Sequence, residues 1–187
     1  MSNPMVVLVN APYVLHGETG LFFGLDNLVR YDELRAVFGF SHGPYVCKKM
    51  FPYMTDIRYG VRAGSRWPHT VIQPVDKYVP YPFIMGYTSS LLKKNGVSAA
   101  IVDAVATRVN SYSICLEQVA AHRPDIVIVE CSTPTIDIDL WFAEQVSEFA
   151  EAALAGPHLT DETVENLRAD HPKITYFLKG EYIHSAL

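Results

Sequence analysis

Three stretches of this chain, MVVLVN at 5–10, VSAAIVD at 97–103 and DIVIVEC at 125–131, are rich in valine, isoleucine and alanine, and segments of helical period stand between the later ones. That combination leaves few folds open. A strand apolar on both sides has to be covered on both faces, as in a parallel sheet, whereas an antiparallel sheet with one wet face alternates. Two further runs, EAALA at 151–155 and ITYFL at 174–178, complete five expected strands. The first expected helix, 82–94, has Ile84, Tyr87 and Leu91 on one face and a stop at Asn95-Gly96. A second, 111–122, carries Tyr112, Cys115, Leu116, Val119 and Ala120 at helical spacing, with Ser111 as N-cap and Pro124 closing it. A third, 137–150, aligns Ile138, Phe142, Val146, Phe149 and Ala150, and a fourth, 161–169, starts at a Thr160 or Asp161 cap.

Strand and helix in alternation predict an α/β fold: a doubly wound three-layer sandwich with right-handed crossovers. Five strands favour the flavodoxin-like (Rossmann-like) order 2-1-3-4-5 within a single domain over 1–187. One segment breaks the rhythm. Residues 14–80 separate the first strand from the first helix, far beyond what a βα loop needs. Residues 21–38 allow a helix, and 41–80 are rich in Gly, Pro, Tyr and His. A βα connection leaves the sheet at the C-terminal ends of its strands, which is the ligand side of an open α/β sheet. Residues 14–80 are therefore expected to form a lid over that edge.

Composition narrows the function. The 187 residues are 49% apolar with a formal net charge of −5, and no basic stripe suggests nucleic acid as a partner. No apolar run approaches the roughly 18 residues of a membrane span, and MSNPMVVLVN lacks the basic start of a signal peptide. A cytoplasmic protein with no membrane partner is expected. Cys47, Cys115 and Cys131 are too few and too scattered for a disulfide framework or a CxxC zinc site, and Cys115 and Cys131 read as buried free thiols. There is no GxGxxG after the first strand and no GxxxxGK[ST], which weakens nucleotide readings. The first strand ends in Asn10 and the third in Glu130-Cys131-Ser132, so the acidic pair and phosphorylatable Asp of a receiver domain are missing. The seven histidines, at 16, 42, 69, 122, 158, 171 and 184, show no metal-ligand spacing.

Four strand-end loops converge on the expected ligand edge. They are Asn10-Ala11-Pro12-Tyr13, Asp103-Ala104-Val105, Ser132-Thr133-Pro134-Thr135 and Gly156-Pro157-His158. Each alone is ordinary turn chemistry. Together, under an oversized lid, their small residues and hydroxyls suit the close approach of a bulky ligand. A small hydrolase using Ser132 and His158 is a remote option.

The stretches VVLVNAPY, YPFIMGYTSSLLKKNGVSAAIVDAVA, RPDIVIVECSTPT, LAGPHLT and FLKGEYI occur in that order, with RAGSRWPHT before the first expected helix. The set resembles the cobalamin-binding domain at the N-terminus of cobalamin-dependent radical S-adenosylmethionine enzymes, over residues 5–13 and about 60–183; residues 14–59 match no pattern of that family. The resemblance implies cobalamin at the C-terminal edge of the sheet, its nucleotide tail threading toward the strands. Ser132 and Thr133 would line the tail, with Pro134 and Thr135 in the same loop. Gly156 and Pro157 would give the tail room beside His158, and Gly180 and Glu181 would stand at the end of the fifth strand. No histidine here follows an Asp by two positions, so the cobalt-ligating DxHxxG motif is absent, as in the radical-enzyme branch.

The family's catalytic barrel, with its CxxxCxxC cluster motif, would begin after KGEYIHSAL. The iron–sulfur cluster and S-adenosylmethionine are thus expected only in a further radical domain, either of the same chain or of a separate partner. Methyl transfer is the commonest chemistry implied, and this chain alone is not expected to catalyse it. No direct metal ligand is expected: the cobalt's lower face would meet GSRWPHT at 64–70, either the indole of Trp67 or the guanidinium of Arg66, neither of which ligates. The alternatives are that Trp67 only anchors the lid, and that the chain is a flavodoxin-like binding or scaffold domain without cobalamin.

Overall fold

The computed structural model describes residues 3–12, 14–15, 59–61, 73–74, 81–109, 111–132 and 135–187. Its main sheet contains β1 (Met5–Asn10), β5 (Ser98–Asp103), β6 (Ile126–Glu130), β7 (Glu151–Gly156) and β8 (Tyr176–Lys179) in the order β5-β1-β6-β7-β8, with every pairing parallel. Counted along the main sheet, that is 2-1-3-4-5, the expected flavodoxin-like order. A second, three-stranded antiparallel sheet of β2 (Val14–Leu15), β3 (Tyr59–Val61) and β4 (Gln73–Pro74) lies within the long segment after β1. Strands of two or three residues carry too little alternation to be read from sequence. The expected helix at 21–38 lies outside the described residues.

The helices are α1 (Phe83–Lys94), α2 (Ala104–Thr107), α3 (Tyr112–Ala121), α4 (Ile136–Val146) and α5 (Asp161–Asp170). They divide between the two faces of the sheet. Val7, Val9, Val127, Val129, Ala152 and Leu154 point to the face covered by α3, α4 and α5, where Tyr112, Cys115, Val119, Phe142, Val146 and Val164 meet them. Val6, Leu8, Ile128, Ala153 and Ala155 point to the other face, where Met85 and Leu92 of α1 and Tyr182 beyond β8 cover them. The strands are apolar on both sides because both sides are packed. Cys115 and Cys131 are buried and stand outside any disulfide.

Helix ends follow local chemistry. Ser111 accepts from the Ile114 amide at the start of α3, and Thr160 and Thr163 form a reciprocal capping box at the start of α5. Lys93 and Lys94 close α1 against its dipole, with Gly96 at φ +80 just beyond. Two sequence readings need correction. The buried stripe of α1 is Met85, Thr88, Ser89 and Leu92, whereas Tyr87 is 60% exposed. The stripe is rotated because Thr88, whose hydroxyl bonds back to the Ile84 carbonyl, takes a core position that composition would assign to an apolar residue. The third expected helix ends at Val146, not 150, because Ser147 caps it through the Glu144 carbonyl and the chain turns back into β7. Phe149 is left largely exposed.

Candidate functional site at the C-terminal edge of the sheet

The strand register sets the floor of the candidate site. Asn10 pairs with Asp103, Val9 pairs with Val129, and Glu130 pairs with Ala155. At the last level of the sheet, Asp103, Asn10 and Glu130 therefore stand side by side on β5, β1 and β6. Alternation puts all three on the face shared by Val6, Leu8, Ile128, α1 and Tyr182.

Asp103 does two jobs there. Its Oδ1 accepts from the Ala106 amide, capping α2, and from Asn10 Nδ2 at 3.0 Å. Burial raises its pKa above the ordinary 3.8, and the hydrogen bonds from Ala106, Asn10 and Val105 pull the other way. The bond to Asp103 also fixes the Asn10 amide, since a flipped amide would set oxygen against carboxylate. Asn10 is only 2% exposed, and its Oδ1, turned away from β5, has no hydrogen-bond partner. The Tyr182 hydroxyl is likewise buried and unpartnered. Its pKa is driven strongly upward, first by burial, then by the neighbouring acidic groups of Glu130 and Cys131. An unsatisfied buried polar atom costs about 1–3 kcal/mol, and most native ones are paired. Two at one edge of one face mark a place that asks for a hydrogen-bonding ligand.

The hydroxyl loop after β6 is otherwise engaged. Ser132 Oγ lies 3.0 Å from Thr135 Oγ1, which donates to Asp139 Oδ2 at 2.6 Å, and the Ser132 amide approaches the same carboxylate at 3.4 Å. All three side chains are buried. This network ties Ser132, just beyond β6, to the start of α4.

Gly156 has a structural reason of its own. Its φ is +144, and a Cβ there would run into the Cys131 carbonyl oxygen. The Cys131 amide donates to the Ala155 carbonyl at 2.7 Å, which draws the ends of β6 and β7 together. Ala11 and Val105 are core residues, and the Pro12 carbonyl accepts from the buried Tyr112 hydroxyl at 3.0 Å. Pro157 is exposed; His158 is half-buried, and its carbonyl accepts from Thr163 Oγ1. Gly180, at φ +65, and Glu181 are exposed and lead the chain from β8 down to buried Tyr182. Tyr13, Arg66, Trp67, Thr133 and Pro134 lie outside the described residues, as does most of the expected lid.

Sequence reasoning placed Asn10 and the Asp103 loop on this edge but missed Glu130 and Tyr182 as site residues. The available signal was the acidic residue closing each of two apolar strands, in AAIVD and IVIVE. Among the described residues an open hollow of about 440 Å³, lined by Asn3, Met5, Lys93 and Val97 to Ala99, sits at the opposite, N-terminal ends of β1 and β5. It contains neither unpartnered atom, so the C-terminal edge is the stronger candidate despite that hollow.

No family model matches the chain, and neither a curated protein nor a solved structure matches it. No group of three or more His, Cys, Asp or Glu among the described residues could hold a metal ion, and no described helix is long and apolar enough to cross a membrane. Cobalamin, the group the sequence resemblance implies, fits the residues present in one respect. Its corrin is rimmed with carboxamides, whose N–H groups are what an orphaned amide oxygen lacks. The Ser132–Thr135 hydroxyls, satisfied within their own loop, add nothing to that fit.

Proposed function

We propose that this chain is a cobalamin-binding domain that presents the cofactor at the C-terminal edge of its parallel sheet to a radical S-adenosylmethionine domain, in the same chain or a separate one. The buried, unpartnered Oδ1 of Asn10 at that edge carries the reading. The ordered set of strand-end motifs and the 2-1-3-4-5 sheet support it. When bound, cobalamin supplies a cobalt that accepts and hands on a methyl group. The domain's own part is to bind and orient it: Asn10 and Tyr182 offer hydrogen bonds, and the Ser132 and Gly156 turns keep the strand ends in place. The chain has no CxxxCxxC run, so cluster chemistry falls to the radical domain.

The test is retention of colour. Purified chain mixed with hydroxocobalamin and desalted should keep an equimolar corrin spectrum. A colourless protein would overturn the reading and favour a binding or scaffold domain without cobalamin. Such a domain would dock through the exposed aromatic group of Tyr81, Phe83 and Tyr87, in which Tyr81 and Phe83 stack edge to face at 4.8 Å.

A further inference from the structure

The acidic row and its two orphaned atoms say which part of a ligand belongs there. Asn10 Oδ1 can only accept a hydrogen bond, so its partner is a donor. Asp103 and Glu130 flank it on the neighbouring strands. Tyr182, whose hydroxyl also lacks a partner, covers the same face beside Glu130. An ionised phosphate or carboxylate brings no donor to Asn10 Oδ1. A neutral group with N–H donors and one acceptor matches all of it: the N–H goes to Asn10 Oδ1, and the carbonyl takes the Tyr182 hydroxyl.

We propose that Asn10 Oδ1 and the Tyr182 hydroxyl form a carboxamide subsite, in which the row Asp103–Asn10–Glu130 receives a side-chain amide from the rim of the corrin and not the phosphoribosyl tail. This rests on the cobalamin reading.

Three measurements on the full chain test it. First, the set of cobalamin monocarboxylic acids, each with one rim amide hydrolysed, is bound to the wild-type protein at neutral pH. One member should bind roughly tenfold or more weakly than the rest, because its carboxylate brings no N–H to Asn10 Oδ1. Second, Tyr182→Phe should weaken hydroxocobalamin binding roughly threefold to tenfold while leaving the ligand-free melting temperature unchanged or higher, since an unpaired buried hydroxyl is gone. A merely structural tyrosine would show the opposite on melting. Third, the Tyr182→Phe loss should be equal for cobinamide, which keeps the rim amides but has no nucleotide tail. Equal binding of all the monocarboxylic acids, or undiminished binding by Tyr182→Phe, overturns the subsite while the cobalamin reading stands. A loss that vanishes with cobinamide assigns the row to the ribose hydroxyls of the tail and likewise overturns it. Failure of the wild-type chain to retain hydroxocobalamin or cobinamide overturns both.

Discussion

Asp103 is held in two hydrogen bonds and is still uncomfortable as an anion, because burial outweighs them. Its folded pKa lies above the 3.8 of the exposed group. In the window above 3.8 the folded state therefore holds more of this proton than the unfolded chain does. The contribution is fully present below that value and is lost as pH rises through the folded pKa. Asp103→Asn keeps an Oδ1 acceptor for both Asn10 and Ala106 but has no charge to bury. We expect wild type and variant to melt together near pH 4 and the variant to melt about 1–2 °C higher near pH 7, measured by circular dichroism. A wild type more stable than the variant at pH 7 would show that the carboxylate's bonds outweigh its burial. At this scale the sequence was a poor guide. Asn10 was legible because it ends an apolar strand. Tyr182 was not, since its burial depends on a turn after β8 that folds back on β1 and β6. Asp103 looked like a turn residue until the register set it beside Asn10.

Elements were far easier to read than residues. Long apolar runs located all five strands of the main sheet to within about two residues, because burial on both faces leaves a continuous signal. The exception at an edge is instructive. Ile174 is buried before β8 begins at Tyr176, so an apolar run reports burial rather than strand pairing. The four-residue α2 went unread for a different reason: a single turn has no period to detect, and only its Asp103 cap betrays it. Gly156 was read as room for a ligand. The close approach of β7 to the Cys131 carbonyl gives it a packing reason that the sequence did not show. Even Gly156→Ala should destabilise the protein by roughly 3 kcal/mol or fail to fold, read from urea unfolding, since both the backbone angle and the space exclude a Cβ. An alanine variant with wild-type stability would mean that β6 and β7 can separate at no cost.

At the scale of the molecule, binding and folding are linked. A ligand that occupies only the folded state at a hundredfold its dissociation constant adds about 2.7 kcal/mol. For a chain of this size the melting temperature should then rise by roughly 5–10 °C with hydroxocobalamin, followed by fluorescence or calorimetry, and not with an unrelated corrin-free dye. No shift at saturation would mean equal binding to the unfolded chain. The same chain order has a consequence during synthesis. β1 lies inside the main sheet between β5 and β6, yet both of these partners are encoded almost ninety residues or more downstream. At a ribosome's pace of roughly 5–20 residues per second, the run VVLV waits about 5–20 s with no strand to join. A nascent chain in that condition is a substrate for chaperones that grip short apolar segments, and its helper is needed early, at the first strand, rather than after release.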